Sequence, residues 1–265
     1  MLAENAACAQ ENIFSVLHLN KERDYSAAKP KKIIEAFVFY SPNGAHSEKH
    51  IKIFDNAGML LTEDRFDESG TVTTRLSFTN DTAKHLIKAM VLERWNSFGN
   101  SNEKKIYTYD ANNFLIRTED ETINGKTFNR SEIKNNAKGD PIEIAGFDGD
   151  GNSFGKEIAI YFYDQNKVQT SVISSLGKII SVDTIKISFK KTAFARDTEE
   201  TFNDKGDITS YISKSANGTL TTYKEEYQYD LAGNCTENKI YETSTKPNGK
   251  QKLRLVRVYK KEYFY

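Results

Sequence analysis

Tyr227-Gln228-Tyr229-Asp230-Leu231-Ala232-Gly233-Asn234 is the stretch on which the reading of the fold turns. Tyr227 and Tyr229 are two apart, so on a strand both rings share one face while Gln228 points to the other. Aromatic side chains suit a pleated, half-buried surface. Asp230 is placed to fold its carboxylate onto the backbone N–H groups that follow, and Gly233 takes a positive φ without steric cost. The segment reads as strand, tight turn and strand, one antiparallel hairpin.

The same grammar recurs along the chain. Phe54-Asp55 precedes Gly58, Phe66-Asp67 precedes Gly70, and Phe202-Asn203 precedes Gly206. Tyr109-Asp110 stands before Asn113-Phe114-Leu115, and Tyr163-Asp164 before Lys167-Val168. Plainer turns keep the Gly-x-apolar ending at Gly177-Lys178-Ile179 and Gly218-Thr219-Leu220. Asn124-Gly125 is a hairpin signal by itself. The residues aromatic-x-Tyr-Asp-x-x-Gly, best kept at Tyr107 to Asp110, Tyr161 to Asp164 and Tyr227 to Asp230, resemble the YD repeats of RHS-type β-repeat proteins. The resemblance covers about residues 37 to 265. The Arg that often follows the repeat Gly is replaced by Met59, Thr71, Asp207 and Asn234. It implies strand-turn-strand repetition and no particular activity. The chain also resembles secreted β-repeat proteins of gut and oral bacteria.

Each such hairpin buries its face only against neighbours, so the expected fold is all-β: a repetitive antiparallel meander forming one long, twisted, curved sheet, open or solenoid-like. Its 265 residues are 38% hydrophobic and 12% aromatic, with a mean hydropathy of −0.64. That pairing suits a sheet covered by Tyr and long charged side chains rather than a thick core. Lys+Arg and Asp+Glu both number 37. Nucleic-acid binders carry a basic excess, so that partner is excluded. No apolar run is long enough for a transmembrane segment.

Residues 1 to 10 read as a residual signal-like or flexible N-terminus, with Ala7-Cys8-Ala9 as a small-x-small cleavage pattern. A lipoprotein reading would instead acylate Cys8. Either one places the protein outside the cytoplasm. Residues 11 to 265 read as a single repeat domain, with strands beginning near Ile33. Residues 81 to 95 fit a helix by composition and a strand by repeat frame; the frame favours the strand. Cys8 and Cys235 fall short of metal spacing and read as free thiols.

Chemistry-bearing motifs are few. Asp148, Asp150 and Asn152 in Phe147-Asp148-Gly149-Asp150-Gly151-Asn152 are a weak calcium candidate. Ser153 and Ala159 stand where a calcium loop needs Gly and Glu, so a structural turn is the better reading. His18, His46, His50 and His85 read as surface residues without a metal site. The adjacent acids Glu63-Asp64, Glu119-Asp120 and Glu199-Glu200 would point to opposite strand faces and read as solvated charge. No motif calls for a cofactor or names a catalytic residue. Tyr107, Tyr109, Tyr161, Tyr163, Tyr227 and Tyr229 hold matching places in successive units. Exposed, they would form a ligand-binding row; buried, they would hold the sheet together. The expected function is a non-catalytic secreted or envelope scaffold for an unidentified protein or glycan partner. The alternatives are a polysaccharide-acting hydrolase and a relative of an RHS toxin-encapsulating shell.

Overall fold

The computed structural model describes residues 11–21, 30–97, 99–188, 193–195, 200–214, 219–245 and 251–265. The N-terminal residues 1–10, and with them the cleavage pattern and Cys8, lie outside the described residues. One α-helix, α1 (Ile13–Lys21), precedes the strands. These are β1 (Lys32–Ser41), β2 (Gly44–Phe54), β3 (Leu60–Phe66), β4 (Val72–Asp81), β5 (Leu86–Asn96) and β6 (Gly99–Tyr109). Next come β7 (Leu115–Thr122), β8 (Thr127–Asn135), β9 (Pro141–Asp148), β10 (Ser153–Phe162), β11 (Lys167–Ser174) and β12 (Ile179–Ser188). The last are β13 (Ala193–Ala195), β14 (Thr201–Phe202), β15 (Ile208–Lys214), β16 (Leu220–Tyr229), β17 (Cys235–Thr245) and β18 (Gln251–Phe264). The fold is all-β, an antiparallel meander in one sheet, as the repeats require. Residues 86–96 are strand, and His85 closes the turn before them with a φ of 53°.

The repeat turn has one construction. In nine turns, beginning at Asp55, Asp67, Asp110, Thr122, Asn136, Asp148, Ser174, Asn203 and Asp230, the first residue donates its N–H to the fifth residue's carbonyl. The fourth residue donates back to the first. That fourth residue has positive φ, supplied by Gly everywhere except Asn113, with a φ of 65°. The first residue's side chain completes the turn. Asp110 Oδ1 accepts from the N–H of Asn112 at 2.9 Å and Phe114 at 2.8 Å. Asp55, Asp67, Asn136, Asp148 and Asn203 do likewise.

A regularity absent from the sequence reading follows the turns at Asp55, Asp110, Thr122, Asn136, Asp148, Ser174, Asn203 and Asp230. Two residues beyond the turn the register slips by one, so Leu115 faces Tyr109 and Arg117 faces Thr108 while Ile116 is bulged out. Leu61, Phe128, Ile142, Phe154 and Ile180 are skipped in the same way, each three residues after its turn Gly.

The contacts divide the chain into two compact units, Met1–Asp24 with Arg75–Phe194, and Tyr25–Thr74 with Ala195–Tyr265. In the first, β5 to β12 carry α1 on one face. Ile13, Val16 and Leu17 are spaced i, i+3, i+4, and pack on Leu115, Ile133, Ile144, Ala159 and Val168. Asn12 caps the helix by accepting from Phe14 at 3.0 Å and Ser15 at 2.9 Å. This helix lay unread in a segment with no repeat frame; the Asn cap and the apolar spacing were its signals. In the second unit, the strand order runs β14-β15-β16-β17-β18-β1-β2-β3, so the first strand pairs with the last.

The Ile13 N–H donates to Glu157 Oε2 at 2.8 Å. Burial raises the Glu157 carboxyl above its ordinary value, with that N–H working against the rise. A carboxyl raised in the folded state stabilises fully when protonated and loses that contribution as pH rises through its folded value. Glu157→Gln keeps an acceptor oxygen and never ionises. Thermal unfolding of this variant should therefore be equal to or above wild type at pH 7, with the difference vanishing in acid.

Gly139 and Gly125 separate conformational from steric need. Both have φ near +80°, but a Cβ on Gly139 would lie 2.3 Å from the Phe114 ring, whereas nothing lies within 4 Å at Gly125. Gly125→Ala should lower stability by about 1 kcal/mol from left-handed strain. Gly139→Ala should lower it by a further 1–3 kcal/mol, roughly the cost of overpacking, in denaturant titrations.

Candidate functional site

The six repeat tyrosines fall four in the first unit and two in the second, all half-buried. Tyr107, Tyr109 and Tyr161 pack against the core under α1. Tyr109 donates to the Ile87 carbonyl at 3.0 Å and Tyr161 to the Pro141 carbonyl at 2.9 Å. Tyr161 stacks on Tyr163 at 5.7 Å, and Tyr227 on Tyr229 at 6.1 Å. Tyr227 donates to Glu225 at 2.6 Å.

Tyr163 and Tyr229 each lock the turn that precedes them on the same end of the sheet. Tyr163 donates to Asp140 Oδ2 at 2.6 Å and accepts from Asn136 Nδ2 at 2.7 Å, while Lys138 Nζ sits 3.5 Å over the ring. Tyr229 repeats this with Asp207 at 2.6 Å, Asn203 at 2.7 Å and Lys205 at 3.7 Å. The sequence behind each lock is Asn-x-Lys-Gly-Asp, at 136–140 and 203–207. Tyr265 approaches the third such turn, accepting from Asn234 Nδ2 at 2.5 Å, with Asp230 Oδ2 at 3.4 Å. Burial, with Asp140 second, pushes the Tyr163 phenol up to about 12. Burial and then Asp207 push Tyr229 up to about 12 as well. Tyr161 and Tyr227 are raised still further, by burial first.

Asp148, Asp150 and Asn152 meet in one of the nine turns. Asp148 Oδ1 accepts from the N–H of Asp150 at 3.0 Å and Asn152 at 2.8 Å, and Oδ2 accepts from Asn152 Nδ2 at 2.8 Å. The Asn152 side chain and backbone hold the Asp148 carboxyl below its ordinary value. Among the described residues no three His, Cys, Asp or Glu side chains are grouped to hold a metal ion. Cys235 is a free thiol, pushed up by burial.

Two adjoining surface grooves lie where the turns of the first unit line up. One, of about 630 Å³, is lined by Asp110, Asn112, Phe114, Ile116, Ile133, Lys134, Asn135, Asn136 and Ala137. The other, of about 440 Å³, shares Lys134 and Asn136 and adds Ile142, Glu143, Ile158, Ala159, Ile160, Tyr161 and Tyr163. Of the six tyrosines, only Tyr161 and Tyr163 line these grooves. The bulged residues Ile116 and Ile142, together with Ile160, are their exposed apolar lining. Farther along the strands, the face away from α1 is a belt of charge. Arg117 meets Glu119 at 2.6 Å, Lys104 meets Glu121 at 3.6 Å, and Glu143 bridges Lys134 at 2.7 Å and Lys156 at 2.8 Å.

The adjacent acids do point to opposite faces, but not both into water. Glu119 pairs with Arg117, whereas Asp120 is buried beside Lys105 at 3.5 Å, and Lys105 reaches Glu11 at 2.8 Å. Glu63 is likewise buried, bound by Arg65 at 2.7 Å. Reading both acids of the pairs 63–64 and 119–120 as solvated charge failed because a strand's period sends one of them inward; Glu199 of the third pair lies outside the described residues.

No family model matches the chain, and no curated protein is similar in sequence. Among solved structures it is similar to a porin-like protein from Bacteroides uniformis, at 12% identity and a TM-score of 0.49, over 90% of this chain and 98% of that one. It is also similar to a chain of the Photorhabdus luminescens Tc holotoxin pore, at 11% identity and a TM-score of 0.22, over 82% of this chain and 16% of that one. A TcdB2–TccC3 structure matches over 83% of this chain and 16% of that one, at 11% identity and the same TM-score. Likenesses this low carry no functional argument.

Tyr163→Phe removes the phenol donor from the carboxylate of Asp140, which is 2% exposed, and should cost about 1–3 kcal/mol. Tyr229→Phe, whose partner Asp207 is only half-buried, should cost less. A phenol raised in the folded state stabilises below its unfolded value of 10.0 and loses this as pH rises toward 12. Wild-type stability should accordingly fall between those limits, by less in Tyr163→Phe, as read by thermal unfolding at stepped pH.

Proposed function

We propose that the chain is a non-catalytic β-repeat protein of the YD-repeat kind, acting outside the cytoplasm as a scaffold for contacts with another protein. The observation that carries this is the bulge. At the slipped position an apolar side chain stands in six turns and Thr209 and Thr236 in two more; of the six, Leu61, Ile116, Ile142, Phe154 and Ile180 are exposed and Phe128 is half-buried. Recurrent outward apolar residues beside preformed grooves are what a protein interface needs at its centre. The cleavage pattern at Ala7-Cys8-Ala9 supports the location.

A glycan is the second reading, favoured by the Tyr161 and Tyr163 rings beside Lys134. Against it, several polar side chains of the grooves are engaged within the protein: Asp110 and Asn136 cap turns, and Asn135 donates to the Leu115 carbonyl at 2.8 Å. The hydrolase reading gains no support, because Glu119 and Asp120 are separated by the sheet and Glu63 is held by Arg65. Kinship with a toxin shell rests on the repeat grammar alone.

No helix among the described residues is long and apolar enough to cross a membrane. Arg117, Lys134 and Lys156 on the face away from α1 also disfavour contact of that face with lipid, where an Arg or Lys costs about 2–4 kcal/mol at mid-depth.

The triple variant Ile116→Ser, Ile142→Ser, Ile160→Ser tests the reading. It should keep the wild-type circular dichroism and melting profile while losing the partner that immobilised wild type retains from an extracellular fraction. Unchanged retention would overturn the proposed face, and loss of glycan-array binding instead would move the assignment to a sugar.

A further inference from the structure

The two histidines His46 and His50, with Glu48 between them, lie at alternate positions of β2 and so share one face of the strand. His50 stands opposite Glu35 of β1 on one side and Arg65 of β3 on the other, and Glu35 stands opposite Lys261 of β18. These four residues make one row across four strands, and Lys52 with Glu63 stands in the next. The His50 side chain is 15% exposed. Its Nδ1 lies 3.5 Å from Glu63 Oε1, its Nε2 lies 3.8 Å from Glu48 Oε2, and its ring is tilted on Phe37 at 4.7 Å.

Every other charge in the row is matched. Arg65 holds Glu63 at 2.7 Å, and Glu35 holds Lys52 at 2.7 Å and Lys261 at 3.0 Å. Glu35 thus meets Lys52 and Lys261, Glu63 meets Arg65, and Glu48 meets only the two histidines among these groups. A proton on His50 adds a positive charge in a half-buried place that already holds Lys52 and Arg65. Burial first, opposed by Glu63 and aided by Arg65, holds His50 below its ordinary value. Glu35 stays charged: burial works against its carboxylate, but Lys261 and Lys52 prevail and hold it below its ordinary value.

His46 is in the opposite condition. It is exposed, with Nδ1 2.7 Å from Glu68 and Nε2 3.1 Å from Glu48 Oε1. Its hydrogen bonds to Glu48 and then Glu68 raise it above its ordinary value. Glu48 is thus shared, one oxygen toward each histidine.

We propose that His46, Glu48 and His50 form a two-step acid sensor in β2: His46 takes the first proton and draws Glu48 to itself, and His50 takes the second and loosens the hold of β1 and β3 on β2. The signs agree. A histidine raised in the folded state adds stability below 6.5, and one lowered by burial removes stability as pH falls below 6.5. Acid therefore tightens the exposed end of the β2–β3 hairpin and weakens the buried row, at the strand that pairs with both β1 and β3.

Proton NMR titration of the full chain tests the order, and hydrogen exchange tests the consequence. The His46 ring signals should titrate above 6.5 and those of His50 below it. Protection of the Glu35 and Phe37 amides, corrected for intrinsic exchange, should fall several-fold between pH 7.5 and pH 5.5. His50→Gln should abolish that fall, and His46→Ala, which frees Glu48, should shift the His50 midpoint upward. The proposal is overturned by His50 titrating at or above His46, or by pH-independent protection of β1. If His50→Gln does not fold, the wild-type titration order and the His46→Ala shift decide the matter.

Discussion

The structure depends on one small hydrogen-bonding arrangement: a side-chain oxygen of the first turn residue accepting the N–H groups of the third and fifth. At Asp110 and its counterparts this satisfies donors that would otherwise be left to water, and it fixes where the chain reverses. Because reversal comes at a set residue, the fourth residue must take a left-handed conformation, and Gly or Asn stands there. The register slip follows two residues beyond the turn, and the bulge decides which side chain is turned outward. Turn chemistry thus reaches the protein's surface: Ile116 and Ile142 are exposed because Asp110 and Asn136 begin their turns where they do.

The adjacency of Tyr and Asp then has a physical reason. In Tyr229-Asp230 the Asp caps its own turn while the Tyr, one residue earlier, reaches the turn formed by residues 203–207. The dipeptide joins one hairpin to the one before it. The cost of this device is a buried carboxylate such as Asp140, to which the phenol donates. The same hydrogen bond adds to burial in raising the Tyr163 and Tyr229 phenols and directs their hydroxyls inward to protein partners.

The sequence made the strands, the turns and their spacing legible, because residue period and turn propensity act locally. Phe54-Asp55, Asn124-Gly125 and Tyr227 to Asn234 each placed a hairpin. The strand at residues 86–96 was legible only through the repeat frame, since its composition suits a helix equally well. The helix α1 was missed for the converse reason, lying before any repeat. Pairings between distant residues were not legible. Nothing in the spacing of Glu11 and Lys105, or of Glu35 and Lys261, tells which sheet position brings them together.

By itself, then, the amino-acid sequence determined an antiparallel meander with side-chain-capped turns, because those choices are made within five or six residues. Tertiary structure decided what each face does. It buried one member of each acidic pair Glu63-Asp64 and Glu119-Asp120, laid α1 over Leu115 and Val168, and turned Ile116 and Ile142 outward. It also set His50 within a row of charges while leaving His46 in water. Burial and charge pairing are sums over strands far apart in the chain, and only the assembled sheet carries out that sum.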